Sequence, residues 1–228
     1  IIALPKAIIE CGWIGPPIAL TILGIQLYTA MLLGRCWLIA EELDPKIISK
    51  SRYPYAALAE MTFGSSACYL VTFLLDLAVF GGSIPNLLVA AQNLQILGLK
   101  LTEHNLNFSY CYWMLILGVC LCPVMWLGSP KDLKWLAISS VATVFMVSVL
   151  TWKTLIQETP LQPPDIPMPS WENIAIAYGI LAFQFDIHPV VLTVQMDMLE
   201  KRKLGHALFA AFCITCSLSM VTTLLGYF

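Results

Sequence analysis

Long apolar runs separated by short polar stretches make up almost all of this chain. The runs cover roughly 1–11, 16–40, 66–97, 111–127, 133–155, 171–196 and 205–228. A membrane-spanning helix needs about 20 apolar residues. The pattern therefore predicts an all-α, multi-pass membrane bundle of six to seven spans, the first and last of them cut short. The run at 66–97 is too long to stand upright across about 30 Å of hydrocarbon at 1.5 Å per residue, so it should tilt or protrude. Turn signals lie between runs: Gly12-Trp13-Ile14-Gly15-Pro16-Pro17, Gly128-Ser129-Pro130 and the proline-rich stretch at 160–169. Nothing marks a separate soluble domain, and 1–228 reads as one transmembrane domain.

Two runs carry polar and helix-breaking residues where a span should be unbroken. One is Ile1-Ile2-Ala3-Leu4-Pro5-Lys6-Ala7, the other Phe183-Gln184-Phe185-Asp186-Ile187-His188-Pro189. Unpaired backbone at membrane depth survives only against protein or a polar cavity. A pair of broken spans in corresponding halves is the sequence sign of a transporter's binding site.

Composition sharpens the class. The chain is 59% hydrophobic and 11% charged, with a mean hydropathy of +0.80. Soluble domains carry about 25% charged residues. The net charge of −2 and the lack of a large basic cluster give no footing for nucleic acid. The eight cysteines are scattered. Cys120 and Cys122, and Cys213 and Cys216, lack a third ligand at metal spacing, so no metal site is expected. A Cys11–Cys111 disulfide is left open. The chain opens without Met inside an apolar run and ends at Tyr227-Phe228 inside another. An internal segment of a longer protein is the expectation.

Orientation follows the positive charges. Lys46, Lys50, Arg52, Lys131, Lys134, Lys201, Arg202 and Lys203 fall on one side, and only Lys100 and Lys153 on the other. The second, fourth and sixth connections are therefore expected in the cytoplasm. Asn107-Phe108-Ser109 is a glycosylation sequon on the opposite side. Trp13, Trp37, Trp113, Trp126, Trp135, Trp152 and Trp171 all fall near expected span ends, where an indole finds both lipid and a polar partner.

Candidate chemistry concentrates at the breaks. Pro189 lacks an N–H and biases His188 away from helical dihedrals. Gln184, Asp186 and His188 beside it form the densest polar group in any span, and ionisable groups at such depth are costly without a use. Asp186 and His188 are candidates for the coupling ion, since imidazole titrates in the physiological range. The structural alternative is that the two satisfy each other or the loosened backbone. Pro5 should unwind the first span and leave Leu4 extended, while Lys6 and Glu10 lie one helical turn apart. In the third run, Ser83 and Asn86 follow Gly81 and Gly82, which are candidates for close helix packing. Asp76 stands in the same run without a nameable partner. No acid–base or nucleophile–base set suggests an enzyme, and catalytic residues are expected to be none.

Ile2-Ala3-Leu4-Pro5-Lys6-Ala7 followed by Gly12-Trp13-Ile14-Gly15 resembles the opening span of the amino acid/auxin permease family. Gly128-Ser129-Pro130-Lys131-Asp132 is similar to that family's cytoplasmic turn. The stretch Ala177-Tyr178-Gly179-Ile180-Leu181-Ala182-Phe183, with His188 and Thr193-Val194-Gln195-Met196-Asp197-Met198 after it, is similar to its sixth span. The resemblance implies a five-plus-five inverted repeat like that of the leucine transporter, with spans 1–5 at 1–155 and the start of the second repeat at 171–228. It implies secondary active transport of neutral amino acids or similar small zwitterions by alternating access, coupled to protons or to sodium, with no other cofactor. The substrate would then sit among Ala3, Leu4, Pro5, Ser83, Asn86, Phe183, Gln184, Phe185 and Asp186. The bilayer, of the plasma membrane or of a lysosomal or vesicular membrane, and an amino acid are the expected partners. A sensor on a transporter scaffold and a passive channel or facilitator remain open. The family's small residues before the sixth-span histidine are replaced here by Asp186-Ile187.

Overall fold

A computed structural model describes residues 3–50, 52–102, 108–126, 134–157 and 169–227. Among them there is no strand, and nine α-helices account for the architecture. They are α1 (Ala3–Glu10), α2 (Gly15–Leu43), α3 (Pro54–Phe63), α4 (Ser65–Leu101), α5 (Tyr110–Met125), α6 (Lys134–Gln157), α7 (Trp171–Gln184), α8 (His188–Asp197) and α9 (Leu204–Tyr227). Five segments of the described residues are long and apolar enough to cross a membrane: Gly12–Leu43, Ser65–Leu101, Lys134–Gln157, Trp171–Asp197 and Lys201–Gly226. The apolar stretch Tyr110–Val124 is shorter. The apolar runs thus become helices within a few residues of where the sequence puts them. Helix α3 is the addition; its ten residues are too few to give a span signal.

The chain forms two compact units. The first contains Ile1–Pro54 and Leu136–Phe228. In it α1 packs on α7, α9 and α2, and α2 packs on α7, α8 and α9. Between spans water provides no hydrophobic drive, so close packing of small residues does the work. The buried positions fit that account: Ala7, Ala19, Ala30, Ala40 and Ala177 are all nearly inaccessible. Gly15 marks the tightest approach, since a Cβ there would come within 2.2 Å of the Ile8 carbonyl oxygen. Ile8, Ala19, Ile22, Leu181, Phe185 and Phe212 form the main cluster, with the rings of Phe185 and Phe212 stacked at 6.2 Å. Ala7, Cys11 and Ala177 form a second cluster, and the Cys11 thiol points at the Asn173 carbonyl 3.7 Å away.

At the other end of this unit, Trp37 is fully buried and its Nε1 donates to Glu41 Oε1 at 2.7 Å. Glu41 also receives the Lys201 ammonium, while Arg202 pairs with Glu42 at 3.5 Å and Lys203 with Glu200 at 2.8 Å. The basic triplet therefore does more than bias orientation: two of its members pair with the end of α2. Trp37 lies near the end of α2, where its N–H finds a partner inside the unit.

The second unit, Tyr55–Trp135, is built on α4 and α5. Gly64, at φ +88°, makes the turn from α3 into α4 in a conformation that side chains resist. Gly98 lets the Trp113 ring lie against α4, where a Cβ would meet it at 2.4 Å. Pro85 sits inside α4 without ending it. Cys11 and Cys111 are both free thiols.

Candidate functional site

The apolar segment Trp171–Asp197 is two helices rather than one. Ser170 caps the start of α7, its hydroxyl accepting from the Asn173 N–H at 3.1 Å. The helix stops at Gln184, and α8 starts at His188 with Pro189 in its first turn. A proline there needs no donor and its fixed φ suits a helix start. Residues 185–187 lie between, joined by the Asp186 N–H to Phe183 O at 3.4 Å and by the Ile187 carbonyl, which accepts from Val190 and Val191. The interruption thus falls just before His188. The expectation that His188 itself leaves helical geometry is corrected, since it opens α8.

Asp186 does two jobs at this break. Its Oδ1 accepts from the His188 backbone N–H at 3.2 Å, placing a carboxylate at the positive end of α8. The same oxygen lies 3.3 Å from His188 Nδ1. On the far side of the ring, His188 Nε2 is 2.8 Å from the hydroxyl of Thr29, in the middle of α2. A carboxylate, an imidazole and a hydroxyl therefore stand in line across α8 and α2.

The proton inventory gives this line a direction. Thr29 Oγ1 is 2.8 Å from the Ile25 carbonyl, to which it donates its one proton. Its oxygen is then left to accept from His188 Nε2–H. With the carboxylate facing Nδ1, both ring nitrogens look at acceptors, which the doubly protonated imidazolium satisfies. A neutral ring has one N–H fewer. Keeping both contacts then requires the Thr29 hydroxyl to turn toward Nε2 and let go of Ile25.

The other expected site residues fall in different places. Phe183 and Gln184 are exposed on the last turn of α7, whereas Phe185 is buried in the helix-packing cluster. Ala3, Leu4 and Pro5 belong to α1, which is helical from Ala3 to Glu10, so Leu4 is not extended and Pro5 does not unwind the described residues. A proline in a first turn costs a helix no hydrogen bond. Because Cys11 meets Asn173 and Ile8 packs near Leu181, α1 runs antiparallel to α7, and its start points toward the break. Ser83 and Asn86 lie on α4, in the other unit, and bond to their own helix: Ser83 Oγ to Phe80 O at 2.7 Å and Asn86 Nδ2 to Gly82 O at 3.1 Å. Asp76 is exposed on the same helix. The sequon residue Asn107 and the turn 128–132 lie outside the described residues, as do the side chains of Ala3, Leu4, Pro5 and Lys6. No group of three or more His, Cys, Asp or Glu among the described residues is placed to hold a metal ion.

Sequence reasoning missed Thr29. Hydroxyls in helices routinely bond the carbonyl four residues back, so one threonine in an apolar run carries no signal. It also passed over Gln195 as a polar residue. That side chain is fully buried in α8, its Nε2 donating to Gly34 O at 3.1 Å and Lys201 O at 3.3 Å. An amide in an apolar run was the available clue.

The transmembrane amino acid transporter protein family matches residues 1–228, the whole chain. The chain belongs to this family. Among curated relatives, it is 23% identical to amino acid transporter AVT1J of Arabidopsis thaliana, all of the chain aligning with 52% of that protein. It is likewise 23% identical to amino acid transporters AVT1D and AVT1E of the same plant, covering 40% and 42% of their lengths. The chain thus spans about half, or less, of the curated relatives it matches. No solved structure matches it. Family membership and the five apolar segments make it an integral membrane protein of a transporter family, not of an enzyme family.

Proposed function

We propose that the protein carrying this chain is a secondary active transporter of neutral amino acids or similar small zwitterions, driven by protons. The observation behind the coupling is the line Asp186–His188–Thr29, which joins a titratable ring at a helix break to a second helix. The amino acid substrate class is supported by the family and by the names of the relatives. In this reading the ammonium group meets the carbonyl end of α7 beside Gln184 and Asp186, where a half-helix favours positive charge. The carboxylate meets the first span near Ala3, Leu4 and Pro5. Alternating access on a five-plus-five inverted repeat, in a plasma or vesicular membrane, completes the proposal. Sodium is the alternative coupling ion.

Uptake by the full-length protein in proteoliposomes, with pH and sodium gradients imposed separately, tests this. Concentrative uptake under the pH gradient alone is the expected result. Concentration under sodium alone would reassign the ion. Uptake that only equilibrates under either gradient would make the protein a facilitator. Saturable amino acid binding without uptake would make it a sensor.

A further inference from the structure

Helix α8 is tied to α2 near both of its ends. At its start His188 Nε2 meets the Thr29 hydroxyl at 2.8 Å. Toward its other end Gln195 Nε2 donates to the Gly34 carbonyl at 3.1 Å. Just beyond, the Lys201 ammonium reaches Glu41. The order 29, 34 and 41 on α2 matches the order 188, 195 and 201, so the two helices run parallel along one polar seam. Between the first two ties α8 buries Val191 and Leu192.

Gln195 holds the middle of this seam. Its side chain is fully buried, and Nε2 also donates to the Lys201 carbonyl at 3.3 Å. One amide thereby joins α8 to α2 and to the turn Lys201–Lys203. Gly34 makes the approach possible, since a Cβ there would meet Leu204 Cδ2 at 2.4 Å and Gln195 Oε1 at 3.5 Å. That oxygen has no hydrogen-bond partner among the described residues. A buried acceptor without a donor lowers stability, and an apolar side chain of similar volume would avoid the loss. Stability alone therefore does not account for a glutamine at this position. Apolar contact is non-directional and tolerates sliding, whereas two hydrogen bonds from one amide fit a single register. A lone buried amide sets register at a cost in stability in coiled coils by the same physics.

We infer that Gln195 is a positioning residue, setting the register of α8 on α2 and so holding the His188 ring against the Thr29 hydroxyl. The two residues share one unbroken ten-residue helix, so a slip at Gln195 displaces the ring as well. The inference deepens the proton-coupling reading of His188. It rests on that reading for its effect on uptake, and on geometry alone for its effect on the ring.

The test reads the ring directly, by imidazole nitrogen magnetic resonance of the histidine-labelled full-length protein in nanodiscs at one fixed pH. The His188 signals are those missing from His188→Gln. Thr29→Val measures what the hydroxyl contributes to the Nε2 shift. Gln195→Met, which keeps the volume and removes both donors, should move the signals in the same direction. Combining it with Thr29→Val should add nothing, because the contact is already gone. Gln195→Asn keeps the amide but withdraws it by one methylene, and should also move the signals that way if the methionine variant does not fold. Leu204→Ala empties the same junction without removing a hydrogen bond, so it should lower the thermal midpoint and leave the ring signals in place. The pH profile of uptake is the functional readout: Gln195→Met should change its shape as Thr29→Val does, whereas a merely structural glutamine would lower uptake at every pH. Ring signals unmoved in the Gln195 variants would overturn the inference. So would additive movement in the double variant, or equal movement in Leu204→Ala. Moved signals with an unmoved uptake profile would support the positioning role and take the pair out of proton coupling, so the two readings fail separately.

Discussion

At the scale of single residues, the two contacts of the His188 ring lead to separable expectations. His188→Gln keeps hydrogen-bonding capacity but removes the titrating proton. It should flatten the pH dependence of uptake between about pH 5 and 8, the range in which imidazoles titrate. A purely structural histidine would instead lower uptake at every pH, leaving the shape of the profile unchanged. Thr29→Val preserves shape and removes the acceptor facing Nε2. If that contact takes part in coupling, its loss should change the pH profile of uptake. An unmoved profile in Thr29→Val, with His188→Gln flattened, would leave the histidine in the mechanism and take the threonine out. The sequence made half of this pair legible. His188, Asp186 and Pro189 announce themselves as polar or breaking residues in an apolar run, and all three meet at the break. Thr29 lies 159 positions away and looks like any helical hydroxyl. Which distant helix a ring touches is decided by tertiary packing, which no local pattern records.

At the scale of helices, the stopping points were readable because they are set by local chemistry. The break of the sixth span follows from a proline and its neighbours, and the helix ends track the apolar runs. What local chemistry could not settle was the behaviour of the other prolines. Pro5 lies in the first described turn of α1, and Pro85 is carried inside α4, where Asn86 Nδ2 bonds to the Gly82 carbonyl in the same stretch. The cost of a proline depends on where the helix around it starts, and the sequence gives that only to within a few residues. Two glycines of α2 give a test of packing between helices. A Cβ at Gly15 would meet the Ile8 carbonyl at 2.2 Å, while at Gly24 it would meet nothing within 4 Å. Gly15→Ala should destabilise the protein by about 1–3 kcal/mol, the usual range for overpacking. Gly24→Ala should be neutral or stabilising by up to about 1 kcal/mol, the difference in helix propensity. Thermal unfolding in detergent, with both variants measured side by side, reads the contrast. Similar midpoints for the two would mean that α1 and α2 do not approach as closely as described.

At the scale of the whole molecule, the positive charges predict which loops share a side of the membrane. Single cysteines at Ile48 and at Leu101, in a background without native cysteines, should react with impermeant maleimide from opposite faces. Reaction of both from one face would overturn the orientation. The buried indole on α2 has a further, optical consequence. Trp37 is inaccessible, while Trp13, Trp126, Trp135 and Trp171 are each at least 79% exposed. Quenchers dissolved in water or carried on lipid tails should therefore silence those four and spare Trp37. The emission that survives quenching comes in large part from a ring bonded to the same carboxylate that holds Lys201. That residual light is a built-in gauge of whether the end of α2 and the turn before α9 stay together. A molecule that parts them during its cycle should redden and lose this protected fraction, with no label attached.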